Sequence, residues 1–142
     1  MKEKEESEKL MSELIPLAEK MLRRYGEFYP YGGYMKPDGS VVEVGVETPN
    51  AKHPKSMDLI SALRDTFRKK ARDHECTAAA VVFDVNVTLP GSHCKSNAIQ
   101  LCIDHVGGYS AEVFLPYEIK GNEIVYGETF AQEGGHTVFG VN

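Results

Sequence analysis

Base is scarce in this chain. Sixteen lysines and arginines face 21 aspartates and glutamates, a net charge of −5, with an isoelectric point near 5.5. Counterion release from a phosphate backbone needs clustered Lys and Arg, so a nucleic acid is not the expected partner. Long apolar runs are lacking too, and none reaches the length that spans a bilayer. The opening MKEKEESEKL is charged and has no apolar core, so no secretory signal is read there. Cysteine is limited to Cys76, Cys94 and Cys102. An odd count at these spacings fits reduced thiols better than a disulfide framework. The expectation is a cytoplasmic protein that does not engage a membrane.

Catalytic motifs are also missing. Gly32-Gly33, Gly107-Gly108 and Gly134-Gly135 precede no Lys-Ser or Lys-Thr, so none is a phosphate-cradling loop. No G-x-S-x-G elbow, H-E-x-x-H helix or EF-hand loop occurs. His93-Cys94 and Cys102-x-x-His105 contain enough ligand types for zinc. However, the first pair sits at a hairpin tip, and Cys102 and His105 leave opposite faces of a strand. No metal and no cofactor is implied.

What is present is an ordinary folding composition, 42% hydrophobic and 26% charged over 142 residues. That is one domain's length, enough for a core without disulfides. The acid is uneven: five glutamates against Lys120 give residues 111–142 four of the net five negative charges. A charged partner of that third should be basic.

Residues 1–9 read as a loose charged arm and 10–142 as the globular domain. Leu10, Leu14, Leu17, Met21 and Leu22, with Ala18 and Tyr25, recur at helical spacing. Pro16 interrupts them, which favours a helix starting near Ser12–Glu13 over a longer one kinked at the proline. Gly26 ends the helix. Lys36-Pro37-Asp38-Gly39 is a hairpin turn between Tyr34–Met35 and Val41–Val46. A loop over Glu47–Lys55 leads to Ser56, a candidate N-cap. The second helix follows, with Leu59, Ile60, Leu63 and Phe67 on its buried stripe. Arg68, Lys69, Lys70 and Arg72 then form a solvated last turn that complements the dipole.

Residues 77–89 alternate: Ala79, Val81, Phe83, Val85, Val87 and Leu89 on one face, and Ala78, Ala80, Val82, Asp84, Asn86 and Thr88 on the other. Strands are also expected at 97–105, 111–115, 123–126 and 136–139. The fold class is α+β: a single antiparallel sheet of five to seven strands with two helices on one face, in the order α-β-β-α-β-β-β-(β-β).

In element order the chain resembles profilin- and roadblock-type domains, which implies protein–protein binding as a style of work and transfers no residues. At the level of sequence FYPYGGYMKPDG, FDVNVTLPG, SNAI, VFLPY and YGETFA cover most of residues 28–131. They resemble a group of small bacterial proteins of unassigned function. That resemblance brings no activity, cofactor or catalytic residue.

The leading functional expectation is a non-catalytic binding module, immunity- or adaptor-like. It would hold a basic protein through the outer sheet face and the acidic C-terminal third. Candidate contacts are Tyr29, Tyr31, Tyr117 and Tyr126, since tyrosine is enriched at hot spots, and Glu123, Glu128 and Glu133. The alternative is a small enzyme or ligand-binding domain using Asp84, Asn86, Gln100 and Asp104. These share one face if the hairpin closes around His93 and Asp84 neighbours Cys102. A homodimer joined along edge strands, with the tyrosines serving assembly, is the third reading.

Overall fold

Both faces of the central strands are buried, because one helix packs on each side of a single antiparallel sheet. The computed structural model describes residues 2–45 and 55–140. Val46 and most of the loop expected over Glu47–Lys55 lie outside them. Among the described residues the order is α1 (Lys2–Tyr25), β1 (Tyr31–Met35), β2 (Val41–Val44), α2 (Ser56–Arg72), β3 (Ala78–Thr88), β4 (Lys95–His105), β5 (Ser110–Lys120), β6 (Glu123–Tyr126) and β7 (Phe130–Glu133). The sheet runs β2-β1-β3-β4-β5-β6, and β7 pairs with the other half of β5. The α+β class and the single sheet agree with the sequence reading. No described helix is long and apolar enough to cross a membrane.

The placement of both helices on one face is corrected. Leu10, Leu14, Ala18 and Leu22 of α1 pack with Ala78, Ala80 and Val82. Ile60, Leu63 and Phe67 of α2 pack with Ala79, Val81 and Tyr34. Alternate residues of β3 therefore serve different helices. The run AAAVV is apolar throughout because neither face meets water there.

The sequence FYPYGGYM finds its explanation here. Its YGGYM part is an interior strand, since β1 pairs with β2 on one side and β3 on the other, and Phe28–Pro30 lead into it. A Cβ at Gly32 would stand 2.9 Å from the Phe67 ring, and one at Gly33 would stand 2.6 Å from Leu14 Cδ2. The two glycines let helices on opposite faces approach β1 closely.

Helix α1 begins at Lys2, so residues 2–9 are not an arm and the helix does not start at Ser12. Buried Ser7 extends the Leu10–Leu14–Ala18–Leu22 stripe one step earlier. The first turns are also anchored at the far end of β4. Glu6 Oε1 lies 2.8 Å from His105 Nε2, while His105 Nδ1 accepts from the Gly107 amide at 2.9 Å. Pro16 thus sits inside the helix. Near it the buried Tyr31 hydroxyl donates to the Leu14 carbonyl and accepts from the Ala18 amide at 3.0 Å. It bridges two groups that a straight helix pairs directly, which meets the backbone's demand for partners beside the proline.

Smaller corrections follow the same logic. Lys55, without a side-chain cap bond, is the N-cap of α2, and Ser56 is its first helical residue. The last strand is Phe130–Glu133. Residues 136–139 instead form a strap beside α2: Arg68 Nε donates to Thr137 O at 2.6 Å, and Val138 N donates to Asp104 Oδ2 at 2.7 Å. Gly26 and Gly39 both take positive φ, as the C-cap and the turn require.

Candidate functional site

Strands β3, β4 and β5 are each 11 residues long, and the helices cover only part of them. Helix α2 packs on β1 and β3, and β1 stops pairing with β3 at Tyr31–Val82. Beyond that point lies an outer end: Asp84–Thr88, Lys95–Ile99, Pro116–Lys120 and β6. Here β3 does alternate, DVNVT, with polar groups on the α1 side and Val85 and Val87 half-buried on the α2 side.

A groove of about 750 Å³ opens at this end. One wall is the β3–β4 hairpin tip, Leu89 to Ser92, shaped by Gly91 at φ 73° and closed by Leu89 N donating to Cys94 O at 2.8 Å. The other wall is the bend from β6 to β7, residues 127–130. Between them lie Ser96, Pro116 and Val125, and Phe130 is held by stacking on Phe114 at 4.8 Å between centroids. Glu118 and Glu128 line it against a single Lys120. The groove is thus apolar at its base and acidic in balance, and its floor belongs to paired strands β4, β5 and β6.

Of the aromatic and acidic candidates, Glu128 lines this groove, and Tyr117 and Tyr126 border it while their side chains turn to the α1 side of the sheet. Tyr117 and Tyr126 stand opposite each other in the ladder, but their hydroxyls are already used. Tyr117 Oη donates to Asp84 Oδ1 and Tyr126 Oη to Glu19 Oε2, each at 2.6 Å. Burial first, and these carboxylates second, raise both phenols well above the usual tyrosine range. Glu123 is exposed at the start of β6, close by in the chain. Glu133 is opposite Ala111 at the other end of the sheet and does not join the groove. Tyr29 is 51% exposed on the α1 side, whereas Tyr31 is 4% exposed and structural.

The polar quartet does not form a site. The β3–β4 register places Asp84 opposite Ile99 and Asn86 opposite Asn97, three residues from the pairing expected. An odd displacement moves a side chain to the other face. Asp84 and Asn86 therefore face α1's side, while Gln100 and Asp104 face α2's side. Asp104 is buried, accepting from Ser110 Oγ at 2.6 Å and from Val138 N, and it pins the C-terminal strap. Gln100 Nε2 reaches Cys102 Sγ at 3.5 Å. Asn86 Nδ2 donates to Asn97 Oδ1 at 3.2 Å.

Asp84 is instead part of a second hollow, between the end of α1 and the start of α2. About 430 Å³ in volume, it is lined by Met21, Tyr25, Glu27, Phe28, Tyr29, Ser56 and Asp84. Burial raises the Asp84 carboxyl above its ordinary value; the Tyr117 hydrogen bond lowers it, and Glu27 raises it again.

The thiols divide by burial. Cys94 is exposed on the hairpin, and Cys76 is buried with its thiol pushed up to about 11 by desolvation. Cys102 is half-buried, and burial also raises it. Among the described residues no group of three or more His, Cys, Asp or Glu is placed to hold a metal ion.

Sequence reasoning missed Pro116, Val125 and Phe130 at the groove, and Tyr25, Glu27 and Phe28 at the second hollow. A signal existed for the first set. Pro116 removes an amide from the ladder and so marks where pairing loosens. Comparison with protein-family models, with curated proteins and with solved structures returns no match to this chain.

Proposed function

We propose that the protein is a non-catalytic binding module, adaptor- or immunity-like in its manner of work. It holds a lysine- or arginine-bearing segment of another protein in the groove at the outer end of its sheet. The observation that carries this reading is the groove itself: an apolar base of Pro116, Val125 and Phe130, bordered by Glu118 and Glu128, beyond the reach of α2. An apolar base gives contact area, and acidic borders give steering and register for a basic segment.

A hydrolytic reading finds little support in the same residues. Nucleophilic catalysis needs a serine or cysteine hydrogen-bonded to a base. Ser96 Oγ donates to the Asn97 carbonyl, and Ser92 Oγ accepts from the Cys94 amide. Neither is directed to an imidazole or carboxylate by these bonds.

The test is photo-cross-linking in the protein's native cells. Benzoylphenylalanine is placed at Val125, in the groove, and at Asp65, on the exposed side of α2, as the control. The expected result is a product from Val125 alone, attached within a Lys- or Arg-containing segment and abolished by Glu118→Lys with Glu128→Lys. No product from Val125, equal product from Asp65, or indifference to the charge reversal overturns the proposal.

A further inference from the structure

The hollow beside Asp84 has a composition that the groove does not share. Among the described residues its lining has three aromatic rings, one thioether and two carboxylates, and no lysine or arginine. Phe28 is buried and fixed edge-on against Tyr31, with centroids 5.8 Å apart. Tyr25 and Tyr29 stand beside it, 64% and 51% exposed. Such exposure of large rings at one place is costly in water unless something covers them.

The carboxylates are equally informative. Asp84 Oδ1 is held by the Tyr117 hydroxyl, so the group is rigid and its orientation set. Among the described hydrogen bonds, none occupies Asp84 Oδ2 or the Glu27 carboxylate. Asp84 is held ionisable against burial with the exposed Glu27 nearby, and a cation beside it relieves that cost. Ring faces carry negative potential and attract cations, and a quaternary ammonium suits them in water because it gives up little hydration on binding. Tyr25 already shows the preference: the Arg24 guanidinium lies over its ring at 5.4 Å. Since Arg24 occupies Tyr25, a bound ligand would draw mainly on Phe28, Tyr29, Asp84 and Glu27.

We infer that this hollow is a binding site for an organic cation, a methylated ammonium group seated on Phe28 and Tyr29 and paired with Asp84 and Glu27. A volume of about 430 Å³ admits a trimethylammonium head with a short chain. A bare metal ion would leave the rings unused, and an anion would meet two carboxylates. The site lies between the end of α1 and the start of α2 and shares no lining residue with the groove, so the two are tested separately.

The probe is choline, titrated into the full chain and followed by amide chemical shifts. Its neutral isostere, 3,3-dimethyl-1-butanol, provides the comparison. Choline should give saturable shifts at Glu27, Phe28, Tyr29 and Asp84, with the isostere about tenfold weaker or worse. Asp84→Asn keeps the shape and an acceptor for Tyr117 while removing one charge, and it should weaken choline about tenfold. Tyr29→Leu, at an exposed ring, should weaken it without disturbing the fold. Equal binding of the isostere, unchanged affinity in Asp84→Asn, or no saturable shift with choline overturns the inference. A peptide bearing one trimethyl-lysine identifies the source. Tighter binding than choline assigns the cation to a protein side chain, and weaker binding assigns it to a free small molecule.

Discussion

The two ends of the sheet are made from the same three strands and obey different rules. At the inner end β3 reads AAAVV, is buried on both faces, and serves α1 with one set of side chains and α2 with the other. At the outer end it reads DVNVT and is polar toward one side and apolar toward the other, and among the described residues no helix packs on the apolar side. A continuous apolar run marks a strand buried twice, and alternation marks one buried once. The change at Phe83–Asp84 therefore records where the helices stop. Under the function proposed above it also divides two duties: the inner end carries the packed core, and the outer end carries the proposed contact surface.

That division is open to attack by substitution. Phe67→Ala empties the α2 side of the inner end and should lower the unfolding free energy by about 3–5 kcal/mol. Val87→Ala, the same kind of deletion at the outer end, should cost less than about 1 kcal/mol. Urea melts of the two side by side give the contrast, and equal losses would erase it. Tyr31→Phe removes only a hydroxyl but leaves the Leu14 carbonyl and the Ala18 amide without their buried partner. A loss of about 1–3 kcal/mol is expected in the same assay.

Smaller in size, and opposite in sign, is Asp84→Asn. A carboxyl whose folded pKa is raised costs stability while it is ionised. The cost is fully present above the raised value and disappears as pH falls through it toward the ordinary 3.8. The variant should therefore melt slightly higher than the parent at neutral pH, and the two should converge in acid. A constant difference across pH would mean that burial of this charge is not the cause. Last, alkylation should sort the thiols without measurable effect on stability. Cys94 at the outer end reacts in the native protein, while Cys76 waits for unfolding. Mass spectrometry of the modified peptides reads the order directly.

Much of this architecture was legible beforehand, and the failures have physical causes. The α+β class, the Gly26 cap, the Lys36–Gly39 turn and the buried stripe of α2 rest on local signals, and they stand. The faces of β3 were misjudged because Ala78 and Ala80, small and neutral in pattern, passed for the wet side of an alternating strand. The start of α1 was hidden because its first turns are held by Glu6 reaching His105, 99 residues away. No local propensity carries that information. The hairpin register slipped by three residues because its tip was centred on His93 and not between Gly91 and Ser92. That one slip joined Asp84 and Asn86 to Gln100 and Asp104, which face the other way. Tyr117, Tyr126 and Glu128, picked out from composition, lie at the groove, although the two tyrosine side chains turn away from it to Asp84 and Glu19. Pro116 and Phe130, which complete the groove with them, were not picked out, because only the fold brings a strand and a later bend together.

The most direct measurement takes the Glu118→Lys, Glu128→Lys double variant and determines its urea unfolding and its cross-linking from Val125 on the same preparation. The account predicts an unfolding free energy within about 0.5 kcal/mol of the parent and loss of the cross-linked partner. A variant that unfolds far more easily, or that keeps its partner, would contradict the separation of stability from binding between the two ends of this sheet.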